Sequence, residues 1–277
     1  MLRSIVFAAI APHGSLAIPD ARGPEEKGKG DATAAGMEEL GRRFAAARPE
    51  AVVVFTPHNV HVEGALAVVV SGKAAGDLAQ WGGPQVRLEG PLDRELAIAV
   101  KEAIRNSGLP VVGISFGGND PAMAVHPMDW AVLIPYWYLG GRSQPQVPLV
   151  IISPCRDLGP QEHVRAGRAV ASAAASSGRR VALVASADHG HGHDAAGPYG
   201  IRPESRAYDD RVVEIVRSGR LERLLELDAD WVNAAAADSW WQMLMLHGAL
   251  GDGLRADLLS YEAPTYYGML TAAFEVS

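Results

Sequence analysis

The chain has 277 residues and carries 25 lysines and arginines against 32 aspartates and glutamates, a net charge of −7. This acidic balance leaves no basic surface to hold a phosphate backbone, so we expect no nucleic-acid partner. The single cysteine, Cys155, excludes a disulfide framework and any zinc site built from several thiolates.

No segment is typical of a targeting signal or of a membrane span, including the apolar N-terminus. Its apolar run is short and leads directly into Pro12-His13-Gly14 rather than into a neutral cleavage region. We therefore predict a buried first strand at residues 5–10, and a cytoplasmic protein that does not bind membranes.

Continuous apolar runs rich in valine and isoleucine recur along the first two thirds of the chain. They lack the period-two alternation of half-exposed strands and are typical of strands covered on both faces in a mostly parallel sheet. The predicted strands are residues 4–10, 51–55, 65–70, 110–114, 148–152 and 180–185.

Helical patterns lie between these strands and dominate after residue 200. Residues 93–107, for example, carry Leu96, Val100 and Ile104 at helical spacing and end before Gly108. The predicted helices are residues 32–47, 93–107, 161–177, 205–218, 221–225, 234–248 and 261–274.

The alternation of strands and helices predicts an α/β fold. We expect a single layered domain over residues 1–277, with a mostly parallel central sheet flanked by helices and a helical C-terminal part. No internal repeat or long linker divides the sequence.

Two histidines directly follow predicted strands. His13 follows the first strand, and His58 follows the second in a segment that also contains His61. Because ligands gather at the carboxyl ends of parallel strands, these side chains can converge on one site. The alternative is that each is a loop histidine that caps a helix or binds a backbone carbonyl group.

The densest group of ionisable side chains follows the last predicted strand, at residues 186–194. It contains His189, His191 and His193, separated by glycines that allow sharp turns near a ligand. Neutral imidazole acts as a metal ligand or as a general base, so this segment could supply either role.

Carboxylates and aromatic side chains complete the set of candidates. His126, Asp129 and Trp130 precede an apolar helix that either packs in the core or contacts a substrate. Asp238 lies inside an apolar predicted helix, where an unpaired carboxylate is costly, so a metal ion is one candidate partner. A helix N-cap is the competing explanation for Asp238, and Glu262 is the rival carboxylate.

Signatures of other enzyme classes are weak. No Gly-x-Ser-x-Gly motif lies in a predicted strand–turn–helix context, and there is no Walker-type glycine loop. Cys155 follows a predicted strand and is either a nucleophile or, as is commoner for a single buried thiol, a packing residue.

The order of these motifs resembles the catalytic (B) subunit of the class III extradiol ring-cleavage dioxygenases, and more broadly the superfamily shared with Memo-like proteins. The motifs are Pro-His-Gly after the first strand, Pro-His after the second, the aromatic helix near residue 130 and Ser-x-Asp-x-x-His at 186–191. The resemblance includes Gly-Pro-Tyr-Gly at 197–200 and Tyr208-Asp209, and it covers residues 5 to about 250.

The resemblance implies a non-haem iron(II) held by two histidines and one carboxylate, with a further histidine as acid–base catalyst. His13 and His58 match the two ligands, with His61 as the fallback for the second, and His191 matches the catalytic histidine. Gly-Ala-Leu at 248–250 points to Asp238 as the carboxylate, where the family usually has glutamate.

The resemblance also bears on the substrate. Ring-cleaving members often carry Asp-His-Gly where this chain has Asp129-Trp130-Ala131, which leaves His126 as the substitute for a substrate-contacting histidine. The residues expected to contact the substrate or to support the ligands are His61, His126, Asp129, Trp130, His189 and His193.

The leading hypothesis is an iron(II)-dependent extradiol dioxygenase of aromatic catabolism that uses O2 to cleave a catechol-like or aminophenol-like ring. A facial site of two histidines and one carboxylate leaves open positions for both reactants. Manganese(II) and zinc(II) are alternative metals; we expect a homo-oligomer, and some family members add a small partner subunit. The alternatives are a non-oxygenase, metal-binding Memo-like protein of the same superfamily and a zinc-dependent hydrolase.

Overall fold

A computed structural model describes residues 4–276 of the chain. In this range an eight-stranded sheet forms the centre, in the order β10-β11-β1-β9-β2-β8-β3-β6, and a three-stranded sheet has the order β5-β4-β7. The strands are β1 (Ile5–Ala11), β2 (Ala51–Phe55), β3 (Leu66–Val69), β4 (Lys73–Leu78), β5 (Gly83–Pro91), β6 (Val111–Ile114), β7 (Val125–Pro127), β8 (Leu149–Ser153), β9 (Val181–Ser186), β10 (Ala256–Glu262) and β11 (Met269–Phe274).

Helices cover both faces of the large sheet. They are α1 (Asp31–Ala47), α2 (Arg94–Asn106), α3 (Trp130–Tyr138), α4 (Pro160–Ser177), α5 (Pro203–Arg217), α6 (Ala229–Ala234) and α7 (Trp240–Leu250). The predicted helix at 221–225 is a short 3-10 helix, Leu221–Glu226.

The middle of the large sheet is parallel, and this confirms the predicted fold class. Strand β9 pairs in parallel with β1 on one side and with β2 on the other, and β2 pairs in parallel with β8. The outer pairings are mixed, because β3 runs antiparallel to β8 and β11 runs antiparallel to β1.

Burial on both faces explains why the strands lack alternation. In β2, Val53 and Phe55 pack in one hydrophobic cluster with α2, α4, α5 and α7. Val52 and Val54 pack in a second cluster with α1 and α3 on the opposite face. Both sets of side chains are therefore apolar, as expected for a sheet between two helical layers.

The end of the chain differs from the prediction. The helical part is confirmed as far as Leu250, but the helix predicted at 261–274 is wrong, since β10 and β11 form an antiparallel hairpin there. Every residue of Met269–Phe274 is buried. A short run that is apolar throughout does not distinguish a buried strand from a buried helix.

Within residues 4–276, no helix is both long and apolar enough to span a bilayer. The predicted domain bounds, 1 and 277, lie outside the described residues, and the single domain stays a prediction.

Candidate metal centre

The candidate residues gather at the carboxyl edge of the parallel strands. His13 follows β1, His58 follows β2, and Asp188 and His191 follow β9, which lies between those two strands. This edge is where open α/β sheets bind ligands. The expected convergence of His13 and His58 is present, because their ring centres lie 5.0 Å apart.

His13 is buried and held in one orientation by hydrogen bonds. Its backbone N–H donates to Asp188 Oδ1 at 3.0 Å, and its Nδ1 lies 3.0 Å from Ser186 Oγ. The Ser186 hydroxyl donates its single proton to the Ala131 carbonyl oxygen at 2.5 Å. Ser186 Oγ therefore accepts from His13 Nδ1–H, which leaves the lone pair of Nε2 in the neutral ring facing the cluster.

Three side chains form a cluster with the composition of a metal site. One ligand atom from each of His13, His58 and Asp238 lies within 4.8 Å of the other two. Asp238 Oδ2 lies 2.9 Å from His58 Nε2 and 3.5 Å from His13 Nε2. We call these three residues the metal cluster.

Asp238 lies in a tight turn and not inside a helix as predicted. The turn joins α6 to α7, and Ala236 within it adopts a positive φ of 48°, which is strained for a residue other than glycine. The N-cap explanation does not hold, because Ser239 occupies the N-cap and Asp238 Oδ1 is buried without a hydrogen-bond partner.

The electrostatics of the cluster favour a bound cation. Burial lowers the pKa of His13, but the carboxylates of Asp188 and Asp238 outweigh it and raise the pKa to about 9. Burial likewise opposes the ionisation of Asp238, yet the charges of the neighbouring imidazoles hold its pKa well below the usual range.

The residues present fit a divalent metal ion. His13 Nε2 and Asp238 Oδ1 are both buried and lack a hydrogen-bond partner, a costly arrangement unless another group satisfies them. Two imidazole nitrogens and a carboxylate are a donor set that iron(II), manganese(II) and zinc(II) accept.

His191 lies beside this cluster without belonging to it. Its Nε2 is 4.0 Å from Asp238 Oδ2, and its Nδ1 is buried without a hydrogen-bond partner. The ring stacks on Tyr267 at 5.7 Å between centres. This position suits a group that exchanges protons with a molecule bound at the cluster.

A cavity of about 560 Å³ opens onto the cluster, and we call it the aromatic chamber. Trp130 packs over the His58 ring at 4.7 Å between centres and contacts Trp81 at 5.1 Å. The aromatic residues that line the chamber are Trp81, Trp130, Tyr199, Tyr266 and Tyr267. Such walls suit a flat apolar ring.

His126 and Asp129 lie outside the metal cluster, and both contact Asn59. Asn59 joins them, since its Oδ1 lies 2.8 Å from His126 Nε2 and its Nδ2 donates to Asp129 Oδ2 at 2.7 Å. Asp129 also accepts from two backbone N–H groups at the start of α3. These contacts position Trp130 at the chamber wall.

Two histidines of the 186–194 segment, His189 and His193, contact side chains of the protein itself and do not contribute to the metal cluster. His189 is fully buried, with its Nδ1 3.0 Å from Ser239 Oγ. His193 Nε2 lies 2.8 Å from Asp209 Oδ2, which also accepts from the Tyr261 hydroxyl at 2.7 Å. Both stabilise the loops around the cluster.

The two alternative ligands lie outside the cluster. His61 is exposed on the segment after β2. The Glu262 carboxylate accepts from the backbone N–H of Thr33 at 2.6 Å and from its hydroxyl at 2.7 Å, and thereby ties β10 to α1. Cys155 is buried.

Sequence reasoning missed the supporting residues of the site. Asp188 and Ser186 orient His13, and their place directly after a predicted strand is a signal in the sequence that could identify them. Tyr266 and Tyr267 were missed because the segment that contains them was interpreted as a helix. Trp81 precedes β5 in the small sheet, which no periodic pattern indicated.

Comparisons with known proteins identify the family of the chain. Residues 7–273 match the model of the family described as the catalytic LigB subunit of aromatic ring-opening dioxygenase. The chain is also 23% identical over 257 residues to Protein CA_C1420 of Clostridium acetobutylicum, which covers 91% of this chain and 54% of that protein. The chain thus spans about half the length of the curated relative it matches.

A solved structure shows the same fold. The crystal structure of uncharacterized protein JW3007 from Escherichia coli K12 aligns with a TM-score of 0.63 and 16% identity, over 98% of this chain and 100% of the other. At that identity the likeness concerns the fold alone. The family match extends over nearly the whole chain, so the chain belongs to the family of the catalytic LigB subunit of aromatic ring-opening dioxygenases.

Proposed function

We propose that this chain is a non-haem iron(II)-dependent extradiol dioxygenase that cleaves a catechol-like or aminophenol-like ring with O2 in the breakdown of aromatic compounds. The observation that carries the proposal is the meeting of His13, His58 and Asp238 at the wall of the aromatic chamber, with His191 beside the same carboxylate. Membership of the LigB family supports dioxygenase chemistry in general.

The metal cluster would hold the iron through His13 Nε2, His58 Nε2 and a carboxylate oxygen of Asp238. Iron bound by such a facial triad lowers the pKa of a substrate hydroxyl and keeps adjacent positions open for the two reactants. Other parts of the chain orient these ligands. Ser186 and Asp188 hold His13, and the turn before α7 positions Asp238.

The aromatic chamber would bind and orient the ring. Trp130 offers a face beside His58, and Tyr267 offers one beside His191. Burial raises the pKa of Tyr267, so its hydroxyl stays neutral and does not compete with the substrate as an acid. Holding the ring between these walls removes much of the entropic cost of bringing the reacting groups together.

His191 would move the proton. In the neutral ring, Nε2 can accept a proton from the second substrate hydroxyl and return it at a later step. The distance of 4.0 Å between this nitrogen and Asp238 Oδ2 supports proton exchange with a molecule held at the cluster. Its contact with Tyr267 keeps the ring in that orientation.

Trp130 favours a second candidate function, that of a metal-binding protein without oxygenase activity. It stands where many ring-cleaving members have a substrate-contacting histidine, and it lies over the ring of His58. In this case the cluster would still bind a metal ion but would not turn over a catechol.

The test is anaerobic loading with iron(II), removal of unbound metal, and exposure to a panel of catechols and aminophenols in air-saturated buffer. We expect a yellow ring-opened product together with stoichiometric O2 consumption. Bound iron without turnover of any panel member would favour the second candidate and contradict the dioxygenase. Cleavage of esters or amides by the zinc-loaded protein would instead favour a hydrolase.

A further inference from the structure

One polar side chain lies among the apolar residues of the first two turns of α7. Gln242 is fully buried, and every other residue from Trp240 to Leu246 is apolar. Within residues 4–276 its Oε1 has no hydrogen-bond partner, an arrangement that is costly in a buried site. An apolar side chain of the same length would avoid this cost, so packing does not explain why the residue is glutamine.

The carboxamide nitrogen of Gln242 joins the two buried sides of the metal cluster. Its Nε2 donates one hydrogen bond to the Asp238 carbonyl oxygen at 2.6 Å and another to the Ser186 carbonyl oxygen at 3.0 Å. Asp238 supplies the carboxylate of the cluster, and the Ser186 hydroxyl accepts from His13 Nδ1–H. Both protons of one NH2 group therefore connect the end of β9 to the turn before α7.

The turn that carries Asp238 requires support from its surroundings. Ala236 in this turn has a positive φ of 48°, a strained conformation that persists only where neighbouring groups hold it. The backbone N–H groups of Ala236 and Ala237 donate to carbonyl oxygens of α6, so these bonds attach the turn to the helix that precedes it. The hydrogen bonds of Gln242 attach the same turn to the central sheet.

The distances within the cluster show what this attachment does. Asp238 Oδ2 lies 2.9 Å from Nε2 of the partly exposed His58, but 3.5 Å from Nε2 of the buried His13. A carboxylate on an unsupported turn could move away from His13, and a metal ion would then have to draw it back. An anchor on the buried side removes this cost before the ion binds.

We propose that Gln242 is a positioning residue of the metal cluster, which holds Asp238 at a distance from His13 that one metal ion can bridge. The inference rests on the metal site of the proposed function and adds a residue that does not itself contact the metal. Gln242 acts through two backbone carbonyl groups, so its effect is on the geometry of the ligands and not on their charge.

The test is the cobalt(II) affinity of Gln242→Met. Methionine is close to glutamine in length but has no N–H donor. Cobalt(II) is the probe because its visible absorption depends on the coordination geometry. We expect the affinity to fall by about 10–100-fold, the range for outer-shell partners of metal ligands, and the absorption bands at saturating cobalt(II) to change. Competition with a metal-binding dye measures the affinity, and circular dichroism shows that the variant is folded.

A purely structural role would not change this affinity. A contact that stabilises the metal-free and the metal-bound protein equally alters the unfolding free energy of both, but it leaves the dissociation constant of the folded protein unchanged. The matched control is Tyr136→Phe. The hydroxyl of buried Tyr136 donates to the Val147 carbonyl oxygen at 2.8 Å, and the residue belongs to neither the cluster nor the aromatic chamber. This variant also loses a donor to a backbone carbonyl group, and it should bind cobalt(II) as tightly as the unaltered protein does.

Gln242→Asn provides a second variant. It keeps the NH2 group on a side chain that is shorter by one methylene group, so one nitrogen no longer reaches both carbonyl oxygens. Its cobalt(II) affinity should fall in the same way as that of Gln242→Met. An affinity in either folded variant equal to that of Tyr136→Phe would overturn the assignment of Gln242.

The two proposals fail in different ways. If the Gln242 variants bind cobalt(II) normally while the iron-loaded protein cleaves a catechol, the assignment of Gln242 is wrong and the dioxygenase proposal stands. If the variants lose affinity as expected but the iron-loaded protein cleaves no catechol, Gln242 positions the metal cluster and the dioxygenase proposal is wrong. An unaltered protein that binds no cobalt(II) would contradict both.

Discussion

The two histidines of the metal cluster are held in opposite ways. His13 is 1% exposed and is fixed by Ser186, the last residue of β9, and by Asp188, which follows that strand. The side chain of His58 is 26% exposed; apart from the contact of its Nε2 with Asp238 at 2.9 Å, its ring packs against Trp130. His13 is thus built into the core, whereas His58 belongs to the loop after β2 and lines the aromatic chamber.

Because of this difference, His13 is preorganised for metal binding, whereas His58 lies where a substrate can reach it. Hydrogen bonds on the buried side fix the tautomer and direction of one ligand before any metal arrives, as outer-shell partners commonly do. On the open side, a ligand held by ring packing can adjust as the substrate enters. Substitutions around His13 should therefore affect both protein stability and metal affinity, whereas substitutions around His58 should have smaller effects on stability.

The largest effect should come from removing the ligands themselves. His13→Ala and His58→Ala should both leave the protein without stoichiometric iron after loading and desalting, as measured by elemental analysis. Only His13→Ala should also lower the unfolding free energy of the metal-free protein by about 1–3 kcal/mol, because Ser186 and Asp188 lose a buried partner. His58→Ala should change it by less than about 1 kcal/mol. Normal iron content in His13→Ala would contradict the assigned site.

His191→Ala should separate catalysis from metal binding. We expect iron content to stay near that of the unaltered protein, while turnover of the best catechol falls by about 10²–10⁴-fold, the usual contribution of a general acid–base group. His247→Asn, in the last turn of α7, is the matched histidine control and should retain turnover. Loss of iron from His191→Ala would mean that His191 is a ligand.

The part of the site that the sequence predicts is the part delivered by the strands. His13 and His58 each stand directly after an unbroken apolar run, so the topology of a parallel sheet is enough to bring them together. Asp238 is different, because nothing in its local sequence indicates the turn in which Ala236 takes a positive φ. Its place in an apolar segment makes it a candidate ligand, and the resemblance to a family favours it over Glu262, but the local structure predicted for it is wrong.

The errors in the fold have the same origin. Continuous apolar runs identify β1, β2, β8 and β9, whose side chains are buried on both faces. Such a run does not distinguish a helix from a strand in Met269–Phe274, which pairs with β1 from a distant part of the chain. Pairing with β1 determines that this segment is a strand, and it thereby positions Tyr266 and Tyr267 at the wall of the chamber.

Ser186→Ala tests the preorganisation of the buried side. Without the hydroxyl, nothing fixes the proton of His13 on Nδ1, so the affinity for iron(II) should fall by about 10–100-fold. The measurement is competition with a metal-binding dye. The matched control is Ser260→Ala, whose hydroxyl pairs with Thr271 in the C-terminal hairpin. An unchanged affinity in Ser186→Ala would show that packing alone orients His13.

The smallest effect should come from the open side. In Trp130→Leu the ring of His58 loses its packing partner, but its Nε2 keeps the contact with Asp238, so iron affinity should fall by less than about 10-fold, below the range of an outer-shell hydrogen bond. The matched control is Trp137→Leu on the same helix, which stacks with Arg142 away from the cluster. The same dye competition measures both variants. If Trp130→Leu weakens iron binding as strongly as Ser186→Ala, aromatic packing fixes His58 as firmly as hydrogen bonds fix His13, and the distinction between a preorganised side and an adjustable side is wrong.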